Sequence, residues 1–144
     1  MIHFSRDEDY AVILVNTLAK QHKKRLVPLS EVAKQYNISL FYLRNLANKL
    51  VHKGVIKAVE GKKGGYFLQK DPKRITIGEI LETFSRKPML ECCSIGSKTG
   101  TCDKVDFCET GHIWRKLHDE FFKKIARLSI SDFMALRREK HATS

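Results

Sequence analysis

Apolar residues recur at helical spacing in the first part of the chain. Between Asp9 and Lys20 they fall on two adjacent stripes of one predicted helix, formed by Tyr10, Leu14, Leu18, Ala11, Val15 and Ala19. Pro28 and Ser30 open a second, shorter segment, Glu31 to Tyr36. We expect the Ser30 hydroxyl to cap the free N–H groups of that segment. The pattern therefore predicts an amphipathic helix followed by a helix of about two turns.

A tight turn and a third helix are predicted next. Asn37 tolerates the left-handed backbone conformation that such a turn requires, and Ser39 can cap a helix that runs to about His52, before Gly54 ends it. The buried stripe of this helix comprises Leu40, Leu43, Leu46, Ala47 and Leu50. Its remaining faces carry Phe41, Tyr42, Arg44, Asn45, Asn48 and Lys49. Polar and aromatic groups are thus expected to point outward.

The residues after Gly54 predict a β-hairpin. Residues 55–59, Val-Ile-Lys-Ala-Val, predict a first short strand, residues 61–65 form a turn rich in glycine and lysine, and residues 66–68 provide a second short strand. Thr76 and Glu79 then have the spacing of a capping box, which predicts a helix from Ile77 to about Phe84.

The C-terminal part begins with an irregular stretch, residues 88–111, that contains all four cysteines. A long helix is predicted after it, because apolar residues recur every four positions at Ile113, Leu117, Phe121 and Ile125. A final short helix is expected after Ser129. The apolar stripe of the long helix needs a partner, and a second copy of the chain is one candidate.

The order of these elements is typical of a winged helix-turn-helix. The predicted fold class is mainly α with a small β-hairpin wing, followed by a long C-terminal helix. We expect residues 1–86 to form the DNA-binding domain, residues 87–111 a cysteine-bearing loop, and residues 112–144 the long helix and C-terminal segment.

Charge supports a polyanionic partner. The chain has 27 lysines and arginines against 16 acidic residues, a formal charge of +11, and most of the excess lies in the first 80 residues. The apolar run from Ala11 to Val15 is too short to span a bilayer and is preceded by acidic residues rather than a basic leader. We therefore expect a cytoplasmic protein with no membrane partner. Cysteines in that compartment point to metal or redox chemistry rather than structural disulfides.

The predicted third helix and hairpin supply candidate DNA contacts. In a winged helix the longer helix enters the major groove, where Arg44, Asn45, Asn48 and Lys49 have suitable donors and acceptors for base edges. Phe41 lies on the same helix. Ser39 and Tyr42 are better placed for phosphates, and Lys62 and Lys63 form a basic tip of the wing. The alternative is an ordinary solvated hairpin whose lysines serve solubility.

The cysteine pattern favours an iron-sulfur cluster over structural zinc. Cys92 and Cys93 are adjacent, eight residues separate Cys93 from Cys102, and five separate Cys102 from Cys108, so the CxxC pairs usual for zinc are absent. Three thiolates would leave the cluster one ligand short. Candidates for that place are His112, the acidic run of residues 7–9, or the spare cysteine. Each also has a plain alternative, because acidic residues at a helix start favour its dipole and His112 can belong to a first turn.

Several of these patterns together resemble the Rrf2 family of bacterial regulators. The resemblance rests on the opening Asp9-Tyr10-Ala11, the Leu-Arg-Asn-Leu sequence at 43–46, the Gly64-Gly65-Tyr66 end of the wing, the cysteine loop, and Ser129-Ile130-Ser131-Asp132. It implies a homodimer with crossed long helices that binds a near-palindromic site. In this interpretation residues 87–111 are a cluster-binding loop and residues 112–144 the dimerisation helix and C-terminal segment.

The resemblance also implies a set of cluster ligands. Cys102 and Cys108 take ligand positions, and either Cys92 or Cys93 completes the trio. Asp9 occupies the place from which some members ligate the partner's cluster. Members with a histidine ligand place it where this chain has Gly111, one residue before His112. Many relatives also have an arginine where this chain has Glu60.

The resulting hypothesis is a DNA-binding transcriptional repressor. Its binding to double-stranded operator DNA would be switched by a 2Fe-2S or 4Fe-4S cluster that senses redox state, nitric oxide or iron-sulfur status. Two alternatives keep the DNA-binding module. One uses zinc or thiol oxidation, and the other answers to a protein partner without a cluster. No enzyme and no small-molecule substrate are expected, because the chain has no phosphate-cradling glycine motif, nucleophile-base pair or cofactor fingerprint.

Overall fold

The computed structural model describes residues 4–84 and 109–139, except for the side chains of residues 112, 115 and 137–139. The elements in chain order are α1 (Arg6–Lys20), α2 (Leu29–Tyr36), α3 (Leu40–His52), β1 (Ile56–Val59), β2 (Gly65–Leu68), a 3-10 turn (Pro72–Arg74), α4 (Ile77–Phe84), α5 (Glu109–Arg127) and α6 (Ile130–Glu139). The mainly helical architecture of the described residues, with its antiparallel hairpin, confirms the predicted fold class.

Helix α1 begins earlier than its apolar stripe predicts. Ser5 forms a complete capping box with Glu8: the Glu8 backbone N–H donates to Ser5 Oγ at 3.2 Å, and the Ser5 N–H donates to Glu8 Oε2 at 2.6 Å. The helix therefore starts at Arg6 rather than at Asp9. Its first turn contains three acidic residues, Asp7, Glu8 and Asp9, which the positive end of the helix dipole favours.

The predicted cap of the second helix is wrong. Helix α2 starts at Leu29, so Ser30 lies inside its first turn, and no side chain caps it. The reason is that extended Pro28 already supplies a carbonyl, which accepts from the Glu31 N–H at 3.1 Å. The following turn agrees with the prediction. Asn37 is left-handed, with φ 52° and ψ 47°, and Ser39 Oγ accepts from the Tyr42 N–H at 3.5 Å as α3 begins.

The hairpin packs against the chain that precedes α2. In the antiparallel register Ile56 faces Leu68 and Val59 faces Gly65. Val27 and Tyr66 exchange two backbone hydrogen bonds, of 3.0 and 2.8 Å. Gly65 is required at this contact, because a Cβ atom there would lie 2.9 Å from the Val27 carbonyl. The wing is therefore fixed to the body of the domain at its base.

A single core joins α1, α2, α3, the hairpin, α4 and the start of α6. Its largest fully buried side chains are Leu14, Leu18, Leu43, Leu46, Leu50, Ile56, Ile75, Ile80 and Ile130. The predicted stripe of α3 is buried except for Leu40, which is only partly covered. Burial of this stripe fixes which face of α3 remains in solvent.

Helix α4 connects this core to the C-terminal helices. Its predicted capping box is only half formed: the Glu79 N–H donates to Thr76 Oγ1 at 3.1 Å, but the Glu79 carboxylate instead accepts from Lys70 Nζ at 2.7 Å. Backbone bonds of 2.8 Å run from Ile77 N–H to the Leu128 carbonyl and from Ile130 N–H to the Ile75 carbonyl. The short helix expected after Ser129 is α6, with Ser129 Oγ capping the Asp132 N–H at 3.0 Å.

Candidate nucleic-acid interface

The solvent face of α3 carries most of the predicted DNA contacts. Arg44, Asn45, Asn48 and Lys49 are exposed, and Phe41 is 75% exposed although it is a large aromatic residue. Ser39 is exposed at the helix start. This row results from the burial of the opposite stripe and from the left-handed turn at Asn37, which sets α3 against α2. The helix can present amide, guanidinium and aromatic groups to one surface.

The second basic element is the tip of the hairpin. Lys62 and Lys63 are exposed between β1 and β2, in a turn where Gly61 adopts φ 110°. Only glycine adopts this backbone conformation readily. The tip therefore presents two ammonium groups beyond the end of the strands, as the sequence predicts.

Two residues of α3 also contact the start of α1. The Tyr42 hydroxyl donates a hydrogen bond to Asp7 Oδ1, and Lys49 Nζ lies 3.9 Å from Asp7 Oδ2. The Lys49 ammonium is also 5.5 Å from the centroid of the Phe84 ring. The sequence gives no signal of the link to Asp7, because 35 residues separate Asp7 from Tyr42.

The environment of Tyr42 raises the pKa of its hydroxyl group. Partial burial, the hydrogen bond to Asp7 and the negative charge of that carboxylate together raise the pKa of Tyr42 to about 12. The ring also packs edge-on against Tyr10, with centroids 5.8 Å apart. Tyr42 is therefore a neutral hydrogen-bond donor throughout the physiological range.

The proposed cysteine ligands, Cys92, Cys93, Cys102 and Cys108, and the side chain of His112 lie outside the described residues. Within residues 4–84 and 109–139 there is no group of side chains that could hold a metal ion. By composition, four thiols within seventeen residues are a donor set that suits an iron-sulfur cluster.

The structure separates the roles of the three acidic residues at the start of α1. Asp7 contacts α3, and the Glu8 carboxylate accepts a hydrogen bond from the Ser5 N–H in the capping box. Asp9 is exposed, and its carboxylate has no hydrogen-bond or ion-pair partner in the described part of the chain. Of the acidic candidates for a cluster ligand, Asp9 is thus the one whose carboxylate is left available.

An exposed apolar stripe runs along α5. Ile113, Trp114, Leu117 and Phe121 are 58, 59, 51 and 37% exposed. The next apolar residue of the predicted series, Ile125, is instead partly buried against the core. Two residues of α6, Phe133 and Leu136, are also exposed. Among the described helices, none is long and apolar enough to cross a membrane.

The short α2, the left-handed turn, the solvent-facing α3 and the basic hairpin define a winged helix-turn-helix DNA-binding protein. The chain belongs to the Rrf2 family, whose model, described as "Iron-dependent Transcriptional regulator", matches residues 4–136. It is therefore a transcriptional regulator rather than an enzyme, as the sequence predicts.

Individual relatives agree with this assignment. The chain is 29% identical over 125 residues to the HTH-type transcriptional regulator IscR of Escherichia coli O1:K1 / APEC, covering 87% of this chain and 75% of that protein. CymR (YrzC), the global cysteine regulator of B. subtilis, matches with a TM-score of 0.76 and 22% identity over 94% of this chain and 98% of its own. IscR of T. potens matches with a TM-score of 0.72 and 24% identity over 99% and 91%. These two structures have the same fold as this chain.

Proposed function

We propose that this protein is a repressor that binds a near-palindromic operator as a homodimer and is switched by an iron-sulfur cluster. The observation that carries the DNA-binding part is the exposed row of polar and aromatic side chains on α3, set beside a basic wing. The membership of the Rrf2 family supports the regulatory part.

The proposed division of labour on DNA follows from side-chain chemistry. Arg44, Asn45 and Asn48 contact base edges in the major groove, where guanidinium and amide groups can pair with the acceptors and donors of a base. Phe41 contacts a thymine methyl group, which suits an exposed aromatic ring. Ser39, Tyr42, Lys62 and Lys63 contact phosphates, and Lys49 contacts a base edge or a phosphate.

The proposed dimer uses the apolar stripe of α5. Isolated large apolar groups on a surface are normal, but Ile113, Trp114, Leu117 and Phe121 form a continuous row along one helix face. A second copy would cover this row and would give the two α3 helices the symmetry of a palindrome.

Sedimentation equilibrium tests this dimer. Leu117→Glu should shift the protein toward monomer, because it would bury a charge in the interface. The control is Lys123→Glu, which places the same residue on the polar side of α5, where Lys123 is exposed. A dimer that survives Leu117→Glu, or that is lost equally in both variants, would reject this interface.

The proposed cluster is held by Cys102, Cys108 and one of Cys92 and Cys93, with Asp9 of the second subunit or His112 as the remaining ligand. The cysteine spacing, the match of residues 4–136 to a family model described as iron-dependent and the unpartnered Asp9 carboxylate support this set. A bound cluster would supply a centre that reacts with oxidants and nitric oxide.

The cluster hypothesis is tested by purifying the protein without oxygen, measuring iron and sulfide, and comparing operator affinity before and after cluster removal. We expect a brown protein whose affinity changes on removal. A brown protein with unchanged affinity would reject the switch and leave the DNA binding intact. A colourless protein with stoichiometric zinc, or one that responds only to thiol oxidation, would reject the cluster.

A further inference from the structure

The carboxylate of Asp7 binds two groups of the DNA-reading helix at once. One oxygen accepts the hydrogen bond from the Tyr42 hydroxyl, and the other faces Lys49 Nζ at 3.9 Å. Tyr42 and Lys49 are seven residues apart on α3, so they lie two turns apart on the same side of the helix. Both are among the residues proposed above to contact DNA.

A DNA phosphate has the same kind of anionic oxygen atoms with which the Asp7 carboxylate binds these two groups. A hydroxyl donor and an ammonium separated by two helical turns can bind the anionic oxygens of a carboxylate or of a DNA backbone. The side chains of Lys49 and Asp7 are 44% and 40% exposed, so an incoming strand can reach both. Exposed ion pairs of this kind are weak, and a polyanion can displace them.

The surroundings of Lys49 favour the pair with Asp7 in the free protein. Asp7 lies in the first turn of α1, where the helix dipole stabilises its negative charge. The Phe84 ring of α4 lies 5.5 Å from the ammonium at its centroid and also attracts a cation. Lys49 therefore interacts with residues of two other helices, α1 and α4.

We propose that Asp7 is an intramolecular competitor of DNA phosphate: its carboxylate occupies the Tyr42 hydroxyl and the Lys49 ammonium in the free protein, and DNA must displace it. The proposal rests on the proposed DNA-binding face of α3. Its effect is to weaken the binding of DNA phosphate by Tyr42 and Lys49.

The experiment measures binding to a fluorescein-labelled non-operator DNA duplex by anisotropy at several salt concentrations. Phosphate contacts are independent of sequence, so the operator need not be known. The variants are Asp7→Asn, Lys49→Met and the double variant. The control is Glu82→Gln, which removes one exposed negative charge from α4, where Glu82 has no partner in the described residues.

We expect Asp7→Asn to bind more tightly than Glu82→Gln. The gain in affinity should be about 2- to 5-fold at low salt, the strength of an exposed ion pair that DNA no longer has to displace, and it should shrink as added salt screens that pair. Lys49→Met should remove most of this difference. In the free protein, ultraviolet titration should show the pKa of Tyr42, about 12 in the wild type, moving toward the ordinary tyrosine value.

Three results would overturn the proposal. Asp7→Asn could bind no better than Glu82→Gln, which would mean that Asp7 does not compete. It could bind more weakly, which would mean that Asp7 positions Tyr42 and Lys49 for DNA instead. The gain could also persist with Lys49→Met. If Asp7→Asn does not fold, Asp7→Ser replaces it, because serine is tolerated at a helix start. A wild-type protein without salt-dependent duplex binding would instead reject the proposed function.

Discussion

The contact between α4 and α5 leaves no room for a side chain at position 78. Gly78 is buried in α4, and a Cβ atom there would lie 2.8 Å from the Cα, Cβ and O atoms of Ala126 in α5. Ordinary van der Waals contact begins at 3.4 Å, so the two helices would have to separate by roughly 0.6 Å. Gly78→Ala therefore measures how tightly the winged helix holds the C-terminal helices.

The expected magnitude combines two opposing effects. Overpacking costs about 1–3 kcal/mol, and the upper part of this range applies because two of the three contacted atoms are backbone. Alanine has a helix propensity about 1 kcal/mol better than glycine, which offsets part of the cost. The net loss in the free energy of unfolding should be about 2 kcal/mol. With a urea m-value of about 2 kcal/mol per M, the midpoint of unfolding should fall by about 1 M.

The sign of the change makes this test decisive. If α4 and α5 were not in contact at this point, Gly78→Ala would raise the urea midpoint, because only the helix propensity would change. Ala126→Gly in the same background removes the Cβ contact but leaves those with Cα and O, and glycine costs α5 about 1 kcal/mol of helix propensity, so little or no recovery is expected. An unchanged or higher midpoint for Gly78→Ala, or a full recovery in the double variant, would refute the packing argument.

Three further predictions concern the DNA-binding domain. Arg44→Ala should cost about 1–3 kcal/mol in operator binding and relax its specificity, whereas Lys63→Ala should weaken all sequences alike and flatten the salt slope; equal losses of specificity in competition assays would contradict this division. Because the pKa of Tyr42 is raised to about 12, its neutral form stabilises the fold below pH of about 10, and this stability should be lost as pH rises toward 12. Urea titrations should show a smaller alkaline loss in Tyr42→Phe, and identical curves would exclude the effect. Gly65→Ala should lower the urea midpoint through its contact with Val27, and an unchanged midpoint would show that the wing base can yield.

The elements that the sequence predicts well are those whose signals are local. Ser39, the apolar stripe that follows it and the left-handed Asn37 define α3 within sixteen residues, and the structure reproduces both its start and its end at His52. The hairpin is also local, because its two short strands flank a turn rich in glycine. The exposed face of α3, and hence the candidate DNA contacts, could be assigned from the periodicity alone.

The structure differs from the sequence predictions where two local signals compete, or where a contact joins residues far apart in the chain. Serine at position 30 is a good cap. The Pro28 carbonyl nevertheless accepts the first helical hydrogen bond, so the helix starts at Leu29 rather than at Glu31. Glu79 has the spacing of a capping box, but its carboxylate binds Lys70 instead. The bond between Asp7 and Tyr42 joins residues 35 positions apart, so only the packing of α1 against α3 brings them together.

The helices on either side of the cysteine segment limit how a structural change in that segment can affect the DNA-binding domain. Phe84 ends α4 and Glu109 begins α5, so these two helices flank the residues between them in the chain. They are held together at Gly78 and Ala126, and the backbone bonds from Ile77 and Ile130 fix the same region. Phe84 also lies beside the Lys49 ammonium. Movement of the end of α4 relative to α3 would therefore change the surroundings of the Lys49 ammonium.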